Sequence, residues 1–329
     1  MNIFITGATG FLGQQILAAL HARKHHLTAL VRSPARASFP EEVRIVQGAV
    51  EDAKAYASHL KGQDVFVHVA ALVKMWVPDP NEFDRVNVQA VEDAIRKAAD
   101  AGIEKFIHTS SFIALGPSNG NPLTEEDGRR TDHFHNHYER TKFLGDQIAR
   151  KYQQDGYPVT ILYPGVIYGS GSLTDGNIIA KNIIPLLNGT MPFGLSILTW
   201  SYTFITDVVQ TFVRIIEKRA PSNRYILGGD NRSGVEFYQA LQEVSGKKPP
   251  AMNIPLPVAK LAGYTEYLLA KLFGREPAML THQVVEIYKH NWAYDSSRAN
   301  KELGYTITPL KQGLNDLVKW LRASGHVKG

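Results

Sequence analysis

Tyr138 and Lys142 stand four residues apart at the start of a segment with helical spacing, so both side chains leave the same face. A phenol with an unperturbed pKa near ~10 exchanges protons at neutral pH only when something favours its ionised form. Lys142 is placed to be the cation that does so. The same spacing also describes an ordinary solvated helix face, and what gives it meaning is the strand before it. That strand ends His108-Thr109-Ser110-Ser111-Phe112, which puts small hydroxyls at the carboxyl edge of a sheet, where ligands of open α/β sheets lie. These serines could equally do no more than cap the strand end.

The stretch that must position such a site is Asn2 to Gly13, NIFITGATGFLG. Ile3, Phe4 and Ile5 form a short buried strand, and the chain then turns into a helix beginning near Phe11. Glycines at 7, 10 and 13 serve a tight turn, a close approach of backbone to ligand, and helix-on-sheet packing. The helix N-terminus presents unsatisfied N–H groups and a partial positive charge to an anion. A dinucleotide is the ligand this suits, with Gly7, Thr9, Gly10, Phe11, Leu12 and Gly13 around its pyrophosphate. The spacing is G-x-x-G-x-x-G, which matches only half of the general G-x-G-x-x-G fingerprint. If Lys142 also holds the ribose hydroxyls of a nicotinamide dinucleotide, the nicotinamide and Tyr138 meet at one reacting carbon.

Strands are predicted at 27–31, 43–47, 65–69, 105–110 and 159–163, and helices at 51–60, 81–100 and 138–154. Pro80 opens the long helix and Gly102 closes it. Strict alternation with short links predicts an α/β fold, a Rossmann doubly wound parallel sheet with right-handed crossovers. Beyond Gly165 the pattern loosens. Helices at 177–187, 207–218, 235–244 and 309–321, the last capped by Thr308, accompany one strand at 224–227. The expected division is a dinucleotide-binding domain over 1–165, joined by sheet and helix returns from later chain, and a smaller α/β substrate lobe made mainly of 166–329.

The 329 residues hold 44% apolar side chains, enough for a large core, and no cysteine, which excludes thiol catalysis and zinc-thiolate sites and fits a reducing compartment. A net charge of +5 without any Lys/Arg run favours anionic small molecules over nucleic acid. With no basic leader and no long apolar run, a cytoplasmic protein without a membrane span is expected.

In order and strand position, the glycine turn, Ser111, Tyr138 and Lys142 resemble the extended short-chain dehydrogenase/reductase superfamily. Further matches are His68-Val69-Ala70-Ala71, Val86-Asn87-Val88, Tyr163 to Gly169 and Trp292-Ala293-Tyr294-Asp295, so the resemblance covers essentially the whole chain. It implies that Tyr138 is the general acid-base, that Ser111, favoured over Ser110, polarises the substrate oxygen, and that Lys142 orients the ribose and lowers the Tyr138 pKa. It places Asn87 in support of the long helix near the site, Ala70 and Ala71 beside the cofactor, and Pro164, Gly165 and Val166 along the nicotinamide. Within the superfamily the chain is most similar to the dihydroflavonol-reductase-like branch, and especially to plant farnesol-dehydrogenase-like proteins, through segments 70–80, 109–116 and 162–169. A homodimer through the helices at 81–100 and 138–154 follows from the resemblance alone.

The second strand ends Leu30-Val31-Arg32-Ser33, where an NAD-preferring fold carries an acidic residue for the ribose 2′-hydroxyl. Arg32, with Ser33 and Arg36, suits a 2′-phosphate instead, so NADP(H) is preferred, although an arginine there can also stack on adenine and NAD(H) stays possible. After the third strand the family's Gly-Asp is here Gly48-Ala49, followed by Val50, which removes its carboxylate contact to adenine. Nucleotide-sugar epimerases and dehydratases commonly carry a phosphate-binding arginine before the segment here at 200–207, yet no arginine lies between Arg150 and Arg214. Met75, Trp76, Phe112, Tyr168, Met191, Phe193, Trp200 and Tyr202 border the expected pocket and give it an apolar, aromatic character. The reaction expected is hydride transfer to or from the carbonyl or alcohol carbon of a small apolar molecule. The alternatives are a nucleotide-sugar epimerase or dehydratase and a non-catalytic NADP(H)-binding redox sensor. His133, His135 and His137 alternate before Tyr138, but no further ligand is placed with them and no metal is expected. Their loop is read as a rim of the site, with His137 near substrate. The apolar helix at 254–273, interrupted by Lys260, Glu266 and Lys271, could touch a membrane, and is read as a packed lid or core helix.

Overall fold

The structure is a computed structural model; it describes residues 1–328 except 192, 195–197, 219, 220, 222, 251, 278 and 279, and for Arg36 the backbone without the side chain. Strands β1 (Asn2–Thr6), β2 (His26–Val31), β3 (Arg44–Gln47), β4 (Val65–His68), β5 (Lys105–Thr109) and β6 (Val159–Pro164) follow one another along the chain. They are succeeded by β7 (Val166–Tyr168), β8 (Trp200–Phe204), β9 (Arg224–Leu227) and β10 (Asp230–Arg232). Seven of these form a parallel sheet in the order β3-β2-β1-β4-β5-β6-β9. The order reverses between β1 and β4, which is the topological switch point of a doubly wound sheet.

Both faces of this sheet are covered, as the continuous apolar strands require. Successive residues alternate between two cores. Ile3, Ile5, Val65 and Val67 pack with the helices Phe11–Ala22 and Ile205–Glu217. Phe4, Phe66, Phe106 and Tyr163 pack toward the helices Ala90–Asp100 and His137–Gln154. A second, three-stranded sheet, β10-β8-β7, has its own core with the helices Ile178–Leu187, Gly234–Ser245 and Leu310–Ala323. Strand β9, although late in the chain, belongs to the large sheet.

The long helix differs from expectation. It runs Asn81–Asp84, then a π-helical turn Arg85–Gln89, then Ala90–Asp100, so one extra residue is accommodated where Asn87 sits. The last helix is capped not by Thr308 but at Pro309, because the Thr308 hydroxyl donates to Asp207 Oδ1 at 2.9 Å. The helix Leu256–Phe273 is not a core helix: its buried positions are Ala259, Gly263, Glu266 and Ala270, and its large apolar side chains lie outside.

Candidate active site at the carboxyl edge of the sheet

At the end of β1 the chain bends through Gly7, whose φ of +73° is open to glycine at little cost. A Cβ there would lie 2.6 Å from the Ala70 nitrogen, and one on Gly13 would lie 2.1 Å from the Gly7 carbonyl oxygen. Turn, β4 loop and helix are thus in direct backbone contact. Gly10 is the N-cap of the helix that begins at Phe11, no side chain caps it, and no acidic residue occupies the first turn. These bare amides fit the pyrophosphate of a dinucleotide. Thr9 is exposed beside them, whereas the side chains of Phe11 and Leu12 are buried in the core, leaving only their backbone for a ligand. The loop 169–176 folds back over this helix start, where Ser172 Oγ donates to Gln14 Oε1 at 2.5 Å.

Arg32 and Ser33 follow β2 and are exposed; Arg32 makes no ion pair among the described residues, and the Arg36 side chain lies outside them. Gly48 N–H donates to the Val31 carbonyl at 3.0 Å, which brings the end of β3 beside Arg32. Ala49 is half-buried, but the Val50 side chain points into the core. Ala70 and Ala71 are half-buried at the end of β4, where Ala70 N–H donates to Thr6 Oγ1 at 3.3 Å.

Ser111, Tyr138 and Lys142 come together at the end of β5. All three are buried. Ser111 caps the short helix Phe112–Leu115, its Oγ accepting from Ile113 N–H at 3.4 Å, and its hydroxyl acts on the Tyr138 phenol by drawing its pKa down. Ser110 turns the other way, donating to Asp146 Oδ1 at 3.1 Å. Lys142 Nζ donates to the Thr109 carbonyl at 2.9 Å. The expectation that Lys142 lowers the Tyr138 pKa does not hold: burial pushes the phenol up to about 12, and only the Ser111 hydroxyl opposes it. Burial also pushes Lys142 down to about 8, against the pull of the Asp146 carboxylate. Desolvation outweighs pairing because so little water reaches either group.

Asn87 braces this arrangement from the π-helical turn. Its Oδ1 accepts from Leu72 N–H at 2.8 Å, and its Nδ2 donates to the Leu72 carbonyl and to Thr141 Oγ1, both at 3.2 Å. It therefore ties the β4 loop to the helix that carries Tyr138 and Lys142. Pro164, Gly165 and Val166 lie buried at the junction of the two sheets, and a Cβ on Gly165 would meet Thr203 Oγ1 at 2.4 Å.

Among the residues expected around substrate, Met75, Trp76, Phe112 and Trp200 are half-buried. Phe112 packs edge-on against Trp292 and Tyr294, and Trp200 packs against Tyr288. Tyr168 and Tyr202 do not line a pocket. Both are buried in the core of the small sheet, Tyr168 donating to the Leu310 carbonyl at 3.4 Å and Tyr202 stacking on Phe237. His133 and His135 meet edge-on with ring centroids 5.3 Å apart and His135 also stacks on His290, whereas His137 turns away to stack on Phe83. Among the described residues, no group of three or more His, Asp or Glu is arranged to hold a metal ion.

Two features escaped the sequence reading. Arg129 and Glu139 form a buried ion pair with Nη2 and Oε1 2.5 Å apart, and Arg129 also donates to the carbonyls of Thr131 and His133 at 2.8 Å. This pair anchors the loop before Tyr138, and a lone acidic residue next to Tyr138 gave no sign of a partner ten residues upstream. His68 and His108 stack beneath the site with ring centroids 5.7 Å apart, and burial, helped by the Lys142 charge, holds both imidazoles neutral, His68 down to about 3.

A doubly wound sheet with a glycine turn at its switch point and a serine, tyrosine and lysine converging on its carboxyl edge defines an enzyme scaffold of the Rossmann, extended short-chain dehydrogenase/reductase type. The chain belongs to the NAD dependent epimerase/dehydratase family, whose model matches residues 3–228. Members of this family act as NAD(P)-dependent oxidoreductases, epimerases and dehydratases. The chain is 26% identical to sterol demethylase protein B of Methylococcus capsulatus over 99% of its own length and 100% of that protein's. It is likewise 26% identical to a putative dihydroflavonol 4-reductase of Synechocystis, covering 99% and 96% of the two chains. The crystal structure of gox2253 superposes with a TM-score of 0.81 at 27% identity, covering 99% of both chains.

Proposed function

We propose that the protein is an NADP(H)-dependent oxidoreductase that reduces a carbonyl of a small apolar molecule, or oxidises the corresponding alcohol. The observation that carries this reading is the burial of Ser111, Tyr138 and Lys142 together at the end of β5, where Lys142 Nζ is held on the Thr109 carbonyl. A bound nicotinamide supplies or accepts the hydride. The glycine turn holds the pyrophosphate, Lys142 the ribose, and Arg32 with Ser33 the 2′-phosphate. Tyr138, protonated at neutral pH and held more firmly so by burial, which pushes it up to about 12, gives its proton to the substrate oxygen while the Ser111 hydroxyl shares that oxygen's charge. In the oxidative direction the same phenol, having lost its proton, accepts one from the alcohol. The second half of the chain forms the substrate lobe, with Met75, Trp76, Phe112 and Trp200 on its border. An apolar substrate is supported by those side chains, by the absence of arginine between Arg150 and Arg214, and by relatives named for sterol demethylation and dihydroflavonol reduction.

The test is turnover of NADPH and NADH on a panel of apolar ketones, aldehydes and alcohols beside UDP- and GDP-sugars. The expected result is net NADPH oxidation on apolar carbonyls, lowered about 10²- to 10⁴-fold in Tyr138→Phe. Conversion of a nucleotide sugar without net cofactor oxidation makes the protein an epimerase instead. Cofactor binding with no turnover of any panel member, or turnover indifferent to Tyr138→Phe, removes the proposed chemistry.

A further inference from the structure

The helix Leu256–Phe273 is inside out. Its inward face is small, and Gly263 fits so closely on the following segment that a Cβ would lie 2.5 Å from the His282 nitrogen. Tyr264 and Tyr267 clasp the His282 ring edge-on, and the Lys260 ammonium reaches Glu286 at 2.9 Å. The helix is therefore firmly seated. Yet Leu261, Leu268 and Leu272 are 70%, 48% and 76% exposed, flanked by Val258, Tyr264 and Phe273 at 56%, 50% and 68%. At 100° per residue these side chains spread over about half the helix circumference as an apolar face that contains one exposed hydroxyl, that of Thr265, which is turned back to the Leu261 carbonyl at 3.2 Å. Scattered exposed leucines need no explanation, but a contiguous patch of this kind marks a docking surface.

Charge identifies the occupant. The helix has three charged residues, and the acidic one, Glu266, is buried and paired with Arg275 at 2.8 Å. The two exposed ones, Lys260, which also pairs with Glu286, and Lys271, fall next to each other along a single edge of the apolar face. An apolar face edged by long cationic side chains matches an anionic phospholipid surface, with acyl chains under the leucines and headgroups at the ammonium groups. A second copy fits less well, since an antiparallel two-fold pairing of this face brings both lysine edges to the same side. No helix among the described residues is long and apolar enough to cross a membrane, so the contact is peripheral.

We propose that this helix docks the protein, apolar face down, onto anionic bilayer surfaces. The seat of the helix also connects to the site border. The segment His282–Tyr288 beneath it sends Tyr288 against Trp200, and Glu276, just past the helix, pairs with Lys74 in the loop that carries Met75 and Trp76. Docking by this face accordingly presents the border of the proposed pocket near the lipid. The proposal itself needs no particular substrate.

The experiment is flotation of the full chain with phosphatidylcholine vesicles, with and without phosphatidylglycerol, alongside sedimentation velocity without lipid. The expected result is co-flotation favouring the anionic vesicles, reduced at least about tenfold in the combined variant Leu261→Glu, Leu268→Glu, Leu272→Glu. Lys260→Glu with Lys271→Glu removes the preference for phosphatidylglycerol. The leucines are solvent-facing, so the triple variant keeps the wild-type melting temperature, which separates lost docking from lost folding. Failure to float, flotation indifferent to the triple variant, or a lipid-independent dimer that the triple variant dissolves each overturns the proposal. None of these readouts uses NADPH or a substrate, so they stand or fall separately from the proposed activity.

Discussion

Replacing Asp146 with Asn tests whether Lys142 must be charged for the cofactor to bind. Lys142 sits at about 8 because burial lowers it, and the one charge raising it is the Asp146 carboxylate, one helical turn away. Two unit charges about 6 Å apart at an effective dielectric near 20 interact by about 2.8 kcal/mol, or about two pKa units. Arg150, whose Nε lies 2.7 Å from the other Asp146 oxygen, offsets part of that field, so the net effect on Lys142 is set at about one unit. The sign is fixed. A lysine is charged below its pKa, so removing the carboxylate lowers the pKa and moves the loss of charge to lower pH. The assay is kcat/KM for NADPH between pH 6 and 10, which reports ionisations of the free protein. Wild type is expected to fall on the alkaline side with a midpoint near 8, and Asp146→Asn with a midpoint about one unit lower, while the two agree at the acid end. Arg150 is partly exposed and can turn toward solvent when its partner is neutral, which limits the structural cost. Identical alkaline midpoints in the two proteins would refute the electrostatic link between Asp146 and Lys142. An alkaline limb absent from both would refute the role given to the Lys142 charge.

Two further outcomes follow from the geometry. Arg32→Ala is expected to weaken NADPH binding about 10- to 100-fold, the worth of a charge-assisted phosphate contact, and to leave NADH binding and the melting temperature unchanged; fluorescence titration of both cofactors checks it. Glu139→Gln strands the Arg129 guanidinium in a site where the two side chains are 4% and 0% exposed, so urea unfolding is expected to show a loss of about 3–5 kcal/mol. Because Arg129 also fastens the Thr131 and His133 carbonyls in the loop leading to Tyr138, turnover in the surviving folded fraction should fall as well.

The large sheet was legible because its strands carry their own instructions. Ile3-Phe4-Ile5 and Val65-Phe66-Val67 are apolar on both faces, and only a sheet covered on both sides can bury them; the two cores they feed are the result. The small sheet was not legible. Val166–Tyr168 and Asp230–Arg232 are three residues each, too short for any period to register, and glycines just before them, Gly165 and Gly229, let β8 approach where a Cβ would meet Thr203 Oγ1 at 2.4 Å and the Tyr202 carbonyl oxygen at 1.7 Å. Tyr168 and Tyr202, expected at the pocket, lie instead in the core of this small sheet. An aromatic residue near a site looks the same in sequence whether it faces the site or the core behind it. The helix Leu256–Phe273 misled in the opposite way, since apolar spacing announces a face to be covered without saying by what.

The site electrostatics have a single cause that spacing cannot express. Tyr138 and Lys142 invite a pairing argument because they lie four residues apart, and that argument has the lysine charge pulling the phenol down. In the folded chain every titratable group beneath the site moves toward its neutral form instead: Tyr138 up, Lys142, His68 and His108 down, each with burial as the leading cause. The Thr6 hydroxyl accepts from Ala70 N–H and lies 3.1 Å from His68 Nδ1, where it can donate and leave that imidazole without need of a second proton. Two neutral histidines under one lysine are what permit the ammonium to persist near neutral pH, since another positive charge among the three would drive the lysine lower still. Desolvation of this kind depends on what lies above and below a residue in three dimensions, so its direction at Tyr138 became readable only once β4, β5 and the helix His137–Gln154 were assembled around it.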